Sequence, residues 1–289
     1  MTAYPKGFIP DLRRLRPWTS LRDSLWRNPD LVRLTYSELA RLVQTCIGSQ
    51  PCRILYVGPG LGHIALELAR DGHDVTGVDI DQEAVALAKR AAETDPFPER
   101  RGRISYEVAE FPRGVAGEGS FDRVLFSRVL HHVADPAAAV AKAAELLGPR
   151  GRVVCVDFAH DRLGVAGARW MARSRMWLSR SGWWPESVAG SLQEETDRTA
   201  RKWRADHEDE GLNPFRAMLD PLRSNLRLGP PVWHPYLFWD LAADMRMSAH
   251  HEGAAALRMR EDEAGLLRRR RLQGVLFSTA GGKRTVARR

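Results

Sequence analysis

The chain has 289 residues and a net charge of +8, with 44% hydrophobic and 28% charged residues. This composition is that of a globular protein, since no stretch approaches the roughly 20 apolar residues that a membrane span needs. The N-terminal residues also lack the apolar segment of a secretory signal. The three cysteines show neither metal-ligand spacing nor an even disulfide framework. We therefore expect a cytoplasmic protein with no metal site.

The positive charge is compatible with a nucleic-acid or anionic partner. Apart from four arginines at residues 268–271 and the tail at residues 283–289, however, the basic residues are spread along the chain. They do not alternate with aromatic residues as in nucleic-acid-binding motifs. The charge alone therefore does not make nucleic acid the expected partner.

Residues 1–50 predict an N-terminal helical appendage. Ser20 is the expected cap of a short helix through Trp26, and Pro29 is expected to interrupt that helix. Residues 37–43 then carry apolar side chains at helical spacing. We expect this appendage to act as a lid, as a contact in a homodimer, or as both.

Residues 51–160 alternate between strand and helix patterns, which predicts a parallel sheet covered on both faces. The expected strands are residues 53–57, 74–78, 103–108, 122–127 and 152–158. The expected helices are residues 63–70, 82–94 and 136–147.

The alternation stops after the fifth strand. Residues 161–223 are helical in character, and residues 159–223 hold five of the nine tryptophans, which indicates an insertion. Residues 224–289 are expected to complete the sheet with strands at 224–228 and 272–278, a basic helix at 253–271 and a basic tail. The whole predicts a doubly wound α/β fold, Rossmann-like, with a mostly parallel seven-stranded sheet, N-terminal helices and a helical insertion.

A glycine-rich turn follows the first strand, with Gly58, Gly60 and Gly62 ahead of a helix. Glycine lets the backbone approach a ligand closely, and the helix beyond presents free N–H groups. Dinucleotide-binding folds use G-x-G-x-x-G to hold a pyrophosphate. Here the third glycine comes one residue earlier, which favours a ligand without a pyrophosphate.

Asp79 ends the second strand, 21 residues after Gly58. A carboxylate at this place is suited to accept both hydroxyls of a ribose. The alternative role for Asp79 is a helix cap, but Asp81 is better placed for that.

Together with residues 121–136 and 148–158, these segments resemble class I S-adenosylmethionine (SAM)-dependent methyltransferases over roughly residues 50–160. The resemblance implies SAM as cofactor, with Ile80 beside Asp79 at the site. It also implies an acid near the adenine amino group, here Glu110, with Phe111 against the ring. Glu107 is the alternative acid, and a solvated loop carboxylate is the other reading of Glu110.

The same resemblance places Ser127 and Arg128, at the end of the fourth strand, near the methionine portion of SAM. Two residues before the first glycine, the family often has an acid that helps to hold the SAM amino group. This chain has Tyr56 there, which supplies a hydroxyl but no charge.

Methylation of a phenol, an amine or an aromatic carbon can require a general base, for which histidine is suited. His160 follows the fifth strand and is the preferred candidate, and His132 follows the fourth. A hydrogen bond at the helix start is the structural alternative for His132 and for its neighbour His131.

In the resembling family, the segment after the fifth strand commonly builds the acceptor pocket. Apolar rings in this part of the chain favour a small hydrophobic or aromatic acceptor, such as a specialised metabolite. The pocket is expected to include Trp170, Trp177, His234, Tyr236 and Trp239. The methylated atom, oxygen, nitrogen or carbon, is not encoded in any motif.

Two other functions stay open. An RNA methyltransferase is compatible with the charge, but residues 127–130 lack the Asn/Asp-Pro-Pro-Tyr/Phe block of enzymes that methylate RNA amino groups. A catalytically silent protein that binds SAM or a metabolite is compatible with Tyr56.

Overall fold

The computed structural model describes residues 24–97, 102–115 and 120–284. The predicted cap Ser20 and the last five residues of the basic tail lie outside these ranges. Eight strands form one sheet. They are β1 Arg53–Val57, β2 Asp74–Asp79, β3 Ile104–Val108, β4 Phe121–Ser127, β5 Leu147–Phe158, β6 Leu226–Leu228, β7 Val232–His234 and β8 Leu276–Lys283.

The strand order is β3-β2-β1-β4-β5-β8-β6, and β7 pairs with β8. Strands β1 to β5 are parallel, whereas β8 runs antiparallel to β5, β6 and β7. The predicted doubly wound α/β sheet is confirmed, with eight strands rather than seven. The order reverses between β1 and β4, and a ligand crevice is expected there, at the carboxyl ends of the strands.

Ten α-helices surround this sheet in the described ranges. They are α1 Pro29–Val32, α2 Glu38–Ile47, α3 His63–Arg70, α4 Gln82–Glu93, α5 Pro136–Leu146, α6 Val165–Arg180, α7 Leu192–Asp209, α8 Phe215–Asn225, α9 Leu237–Asp244 and α10 Ala249–Arg268. None of them has both the length and the apolar character needed to cross a bilayer.

Alternation along the strands supplies one core on each face of the sheet. In β1, Ile54 and Tyr56 join the core that includes α2, α3 and α9. Leu55 and Val57 join the core that includes α5 and α8. The sheet is therefore buried on both faces, and ligands reach it at the ends of its strands.

Pro29 does not interrupt a helix, contrary to the sequence prediction. It is the first residue of α1, and the Asn28 side chain caps that helix by accepting from Asp30 N at 2.9 Å. Proline is favoured at this position because the first turn has no use for its missing N–H.

Two C-terminal strand predictions need correction. Residues 224 and 225 belong to α8, so that the short β6 starts at Leu226. The strand predicted at residues 272–278 starts later, as β8 at Leu276, and extends to Lys283. Helices α6, α7 and α8 form the predicted insertion between β5 and β6.

The described N-terminal segment is held against α9 and α10 through Arg27. Its guanidinium donates to Ala242 O at 2.8 Å and to Met245 O at 2.9 Å, and it lies 3.3 Å from Glu252 Oε1. These hydrogen bonds supply donors to backbone carbonyl groups at the end of α9. The neighbouring Trp26 contacts His63, the first residue of the helix that follows the glycine turn, at 5.9 Å.

Candidate cofactor and acceptor site

The glycine turn between β1 and α3 is closely packed at two of its glycines. Gly58 and Gly62 have φ angles of 67° and 74°, in the left-handed region that favours glycine. A Cβ on Gly58 would lie 2.3 Å from Val129 Cγ2, and one on Gly62 would lie 2.6 Å from Tyr106 Oη. Gly60 also has a positive φ, but a Cβ there would meet nothing within 4 Å. The turn is thus fixed at its ends and open in its middle.

Asp79 connects this turn to the end of β2. Its Oδ2 accepts from Gly60 N at 2.9 Å, and its Oδ1 accepts from Asp81 N at 3.0 Å. Asp81 caps α4 by accepting from Glu83 N and Ala84 N, so Asp79 is not the helix cap. Each carboxylate oxygen can accept a second hydrogen bond, and Asp79 therefore retains capacity for two hydroxyls.

A cavity of about 410 Å³ opens beside Asp79 at the carboxyl ends of β1, β2 and β4. Of the predicted cofactor residues, the ones that line it are Gly58, Asp79, Ile80, Glu110 and Phe111. Ile80 is 72% exposed, so its side chain is free to contact a ligand in this cavity. Phe111 packs edge-on against Phe126 at 5.9 Å, and Glu110 Oε1 lies 3.4 Å from Arg113 Nη1.

A wider depression of about 730 Å³ lies at the opposite end of the sheet. It includes Arg53 and the ion pair between Arg103 and Asp74. Doubly wound sheets bind their ligands at the carboxyl ends of the strands. This depression is therefore not our candidate site.

Tyr56 and Ser127, at the ends of β1 and β4, lie beneath the turn rather than along the cavity wall. Tyr56 is 2% exposed and Ser127 is 5% exposed. Burial raises the pKa of Tyr56 well above its ordinary value, while Ser127 and the nearby Arg128 lower it. Tyr56 is thus a neutral phenol, and no acid stands at this place.

Arg128 follows Ser127 in the left-handed conformation, with a φ of 54°. Its guanidinium carbon lies 5.8 Å from the ring centre of Tyr236 and 5.1 Å from that of Trp239. The side chain therefore faces α9 and the segment before it. It does not line the cavity beside Asp79.

His131 and Asp157 form a close pair between the segment after β4 and the end of β5. His131 Nδ1 lies 2.5 Å from Asp157 Oδ1, and Asp157 Oδ2 accepts from Leu130 N at 2.7 Å. The carboxylate fixes both the backbone of this segment and the orientation of the imidazole. Sequence reasoning missed the pair, although His131 follows β4 and Asp157 lies near the end of the neighbouring parallel strand β5, where side chains meet.

The two histidines predicted as base candidates occupy different places. His132 lines the cavity beside Asp79 and stacks obliquely on His131 at 4.1 Å. His160 lies against the ring of His207 at 5.7 Å, and its Nε2 is shielded without a partner. Burial lowers the pKa of both His132 and His160, so each is neutral and able to accept a proton near neutral pH.

Phe158 brings the histidines and the predicted acceptor residues together. Its ring lies 5.9 Å from His131, 5.2 Å from His207 and 4.8 Å from Tyr236. Tyr236 in turn stacks on Trp239 at 5.2 Å. A continuous ring-lined region therefore extends from the end of β5 to α9.

Of the other three predicted acceptor residues, Trp170 and Trp177 lie apart from this region, whereas His234 lines a separate cavity of about 130 Å³ together with Trp239. Trp170 is 7% exposed in the core and donates to Asp262 Oδ2 at 2.7 Å. Trp177 is 40% exposed on α6 and contacts Trp183. His234, on β7, bonds Ser278 Oγ at 2.8 Å.

Three residues that the sequence did not single out complete the ring-lined region on its N-terminal side. Tyr36 stacks on Trp26 at 4.9 Å, meets His63 edge-on at 5.0 Å and lies 5.5 Å from Trp239. His63 is the first residue of α3, directly after the glycine turn. That position was the available signal for His63, whereas the location of Trp26 and Tyr36 depends on long-range packing.

Residues 55–155 match the family model of the methyltransferase domain. An O-methyltransferase of ubiquinone biosynthesis from Xanthomonas euvesicatoria is 30% identical over 192 residues, which cover 59% of this chain and 76% of that protein. The chain therefore belongs to the class I SAM-dependent methyltransferases. SAM is the cofactor of this family.

Other relatives match over a shorter stretch. An O-methyltransferase of ubiquinone biosynthesis from Cereibacter sphaeroides is 32% identical over 50% of this chain and 57% of its own length. A C-methyltransferase of ubiquinone and menaquinone biosynthesis from Geotalea uraniireducens is 34% identical over 38% of this chain and 47% of its own length. The chain thus spans about half the length of these two relatives.

Solved structures share the fold. Geranyl diphosphate C-methyltransferase from Streptomyces coelicolor, in complex with S-adenosylhomocysteine, has a TM-score of 0.54 at 13% identity, over 88% of this chain and 81% of that chain. The cyclase SpnF has a TM-score of 0.51 at 19% identity, over 85% and 81% of the two chains. At such identities the likeness concerns the fold alone.

Proposed function

We propose that this chain transfers a methyl group from SAM to an oxygen, nitrogen or electron-rich aromatic carbon of a small hydrophobic or aromatic acceptor. The observation that carries the proposal is that two features meet at the carboxyl ends of the strands. A cavity built on Asp79 and the glycine turn adjoins a ring-lined region that includes Phe158, Tyr236 and Trp239.

When bound, SAM would supply a methyl group on a sulfonium, with S-adenosylhomocysteine as the leaving group. Asp79 would hold the ribose, and Ile80 and Phe111 would enclose the adenine, with Glu110 at its amino group. The rings around Phe158 exclude water and orient the acceptor, which brings the reacting atoms into line. Where the acceptor loses a proton, His160 or His132 accepts it.

The names of the relatives favour a small acceptor. The two O-methyltransferases and the C-methyltransferase noted above serve quinone biosynthesis by their names. They differ in the atom that they methylate, so they support the acceptor class rather than the atom. We extend the proposal to a cytoplasmic enzyme of specialised metabolism, in line with the sequence prediction.

A function without methyl transfer is the second candidate, because one observation favours it. Tyr56 leaves the SAM amino group without the family's usual acid. Such a protein would bind S-adenosylhomocysteine and SAM alike, but it would transfer no methyl group.

The test is a transfer assay with methyl-labelled SAM and a panel of phenols, indoles and amines, with total RNA as a separate arm. Calorimetry with S-adenosylhomocysteine is run in parallel. We expect binding together with labelling of at least one small molecule, and a weakening of both in Asp79→Ala. Binding without labelling of any acceptor, or labelling of RNA alone, would contradict the proposal.

A further inference from the structure

The guanidinium of Arg128 lies over the rings of Tyr236 and Trp239, in the ring-lined region, without a counter-ion. No carboxylate in the described ranges is within ion-pair distance of it, and none of their oxygens accepts a hydrogen bond from its N–H groups. Its Nε is shielded from solvent, but its two Nη atoms are not among the shielded atoms without a partner, and the residue is partly exposed. The Nη atoms can therefore still be reached by a ligand.

Asp157 is the carboxylate whose charge acts on Arg128, but it does not neutralise this cation. Asp157 accepts from Leu130 N, Phe158 N and the ring of His131, which occupies its oxygens within the protein. Burial lowers the pKa of Arg128, but the neighbouring tyrosines and Asp157 more than offset this and raise it overall. A cation that is retained at such a desolvated place is explained most simply by an anion that a ligand brings.

His63 is a second polar group without a hydrogen-bond partner, and it lies beside Tyr36 in the same ring-lined region. Both of its ring nitrogens are shielded and make no hydrogen bond. The ring meets the stacked pair of Trp26 and Tyr36 edge-on, at 5.9 Å and 5.0 Å. Burial and the nearby Arg128 lower its pKa to about 4, so the ring is neutral and offers one N–H donor.

The rings around Arg128 are held in a fixed position. Glu263 accepts from Tyr236 N at 2.8 Å and Phe238 N at 3.0 Å, which anchors the start of α9. This helix carries Trp239. This part of the ring-lined region is therefore preorganised, with apolar rings along its wall and the Arg128 cation at one end.

We propose that Arg128, assisted by His63, binds a carboxylate of the acceptor while the apolar part of the acceptor lies against Tyr36, Tyr236 and Trp239. The inference rests on the proposed function and narrows its acceptor to an acidic arene or acidic apolar molecule. The planar fork of a guanidinium matches a carboxylate with two parallel hydrogen bonds. The flanking rings supply the contact area for the rest of the molecule.

The geometry favours the acceptor over the cofactor as the source of this carboxylate. The cavity beside Asp79 is lined by Val129, the next residue, but not by Arg128. The Arg128 side chain lies instead against two rings at the start of α9, those of Tyr236 and Trp239. The methionine carboxylate of SAM is nevertheless the competing source, and the experiment has an arm for it.

The experiment measures binding of 4-hydroxybenzoate and its neutral amide, 4-hydroxybenzamide, to the protein saturated with S-adenosylhomocysteine. We expect the wild type to bind the acid at least about tenfold more tightly. Arg128→Gln should lose this preference, and Arg128→Lys should keep part of it. Arg162→Gln is the matched control, because Arg162 also lies over two rings, 4.3 Å from Trp233 and 5.2 Å from Phe215.

A second arm compares S-adenosylhomocysteine with 5′-methylthioadenosine, which lacks the amino-acid end. We expect Arg128→Gln to change neither affinity by more than about twofold. Loss of affinity for S-adenosylhomocysteine alone would assign Arg128 to the cofactor and overturn the inference. Equal binding of the acid and the amide by the wild type would overturn it too, whereas a wild type that fails to bind S-adenosylhomocysteine would instead refute the proposed function. Arg128→Lys keeps the test informative if Arg128→Gln does not fold.

Discussion

His131 Nδ1 and Asp157 Oδ1 lie 2.5 Å apart and join the segment after β4 to the end of β5. Asp157 also accepts from Leu130 N and Phe158 N, each at 2.7 Å, and its side chain is fully buried. One carboxylate thus holds the backbone where the cavity and the ring-lined region meet. Its loss affects the geometry of both.

Asp157→Asn should lower the free energy of unfolding by about 2–4 kcal/mol, because an amide leaves buried donors without an acceptor. Urea denaturation measures this change. Asp135→Asn is the control: Asp135 caps α5 at an exposed site, and asparagine caps equally well. Equal unfolding free energies for Asp157→Asn and the wild type would show that the carboxylate does not hold this segment.

His160→Gln should lower kcat by about a hundredfold or more if His160 accepts the proton of the acceptor. The base acts in its neutral form, so the rate rises with pH through the pKa of His160. Since burial lowers that pKa, the rise should be centred below the ordinary histidine value of about 6.5. His250→Gln, at an exposed position of α10, should leave the pH profile unchanged. An unaltered profile in His160→Gln would remove it from the mechanism.

The parts of the site that lie close together in sequence could be predicted from it. The spacing of Gly58, Gly60 and Gly62 and the position of Asp79 at a strand end are local features, and the structure brings them together through the bond from Gly60 N to Asp79. Asp81 was likewise predicted as the cap of α4, since capping depends on the next few residues only.

The acceptor side could not be predicted in the same way. The ring-lined region around Arg128 requires contact between Tyr36 and Trp239, which are about 200 residues apart in the chain. The hydrogen bonds of Arg27 to the end of α9 help to bring them together. Pro29 shows the same limit on a smaller scale. Whether a proline ends a helix or starts one depends on where the preceding cap lies, and here Asn28 supplies it.

Asp79→Ala should weaken the binding of S-adenosylhomocysteine by about 1.5–3 kcal/mol through loss of charge-assisted hydrogen bonds to the ribose. Calorimetry measures the affinity, and thermal melting separates it from the loss of the bond to Gly60 N. Asp81→Asn is the control, because asparagine also caps helices. An unchanged affinity in Asp79→Ala would remove the ribose role.

Glu110→Gln should reduce the affinity for S-adenosylhomocysteine about three- to tenfold, the effect of one hydrogen bond to the adenine amino group. Glu107→Gln should change it less than about twofold, since Glu107 does not line the cavity. The two variants remove the same charge three residues apart, which makes the comparison a matched one. The reverse order of effects would restore Glu107 as the adenine acid.

Asp240→Asn should make the protein more stable above neutral pH. The pKa of Asp240 is raised overall from 3.8 to about 7. Burial is the largest cause; Arg175 and Arg128 act against it, and the charges of Asp244 and Asp206 add to it. The folded chain therefore binds this proton more tightly than the unfolded chain does, so this group costs stability as pH rises from about 4 to about 7. We expect the variant to lose this dependence and to exceed the wild type at pH 8 by at least about 1 kcal/mol. Urea denaturation at pH 5 and pH 8 measures both values, with Asp262→Asn, at an exposed position of α10, for comparison. Parallel changes in the variant and the wild type between the two pH values would exclude a raised pKa at Asp240.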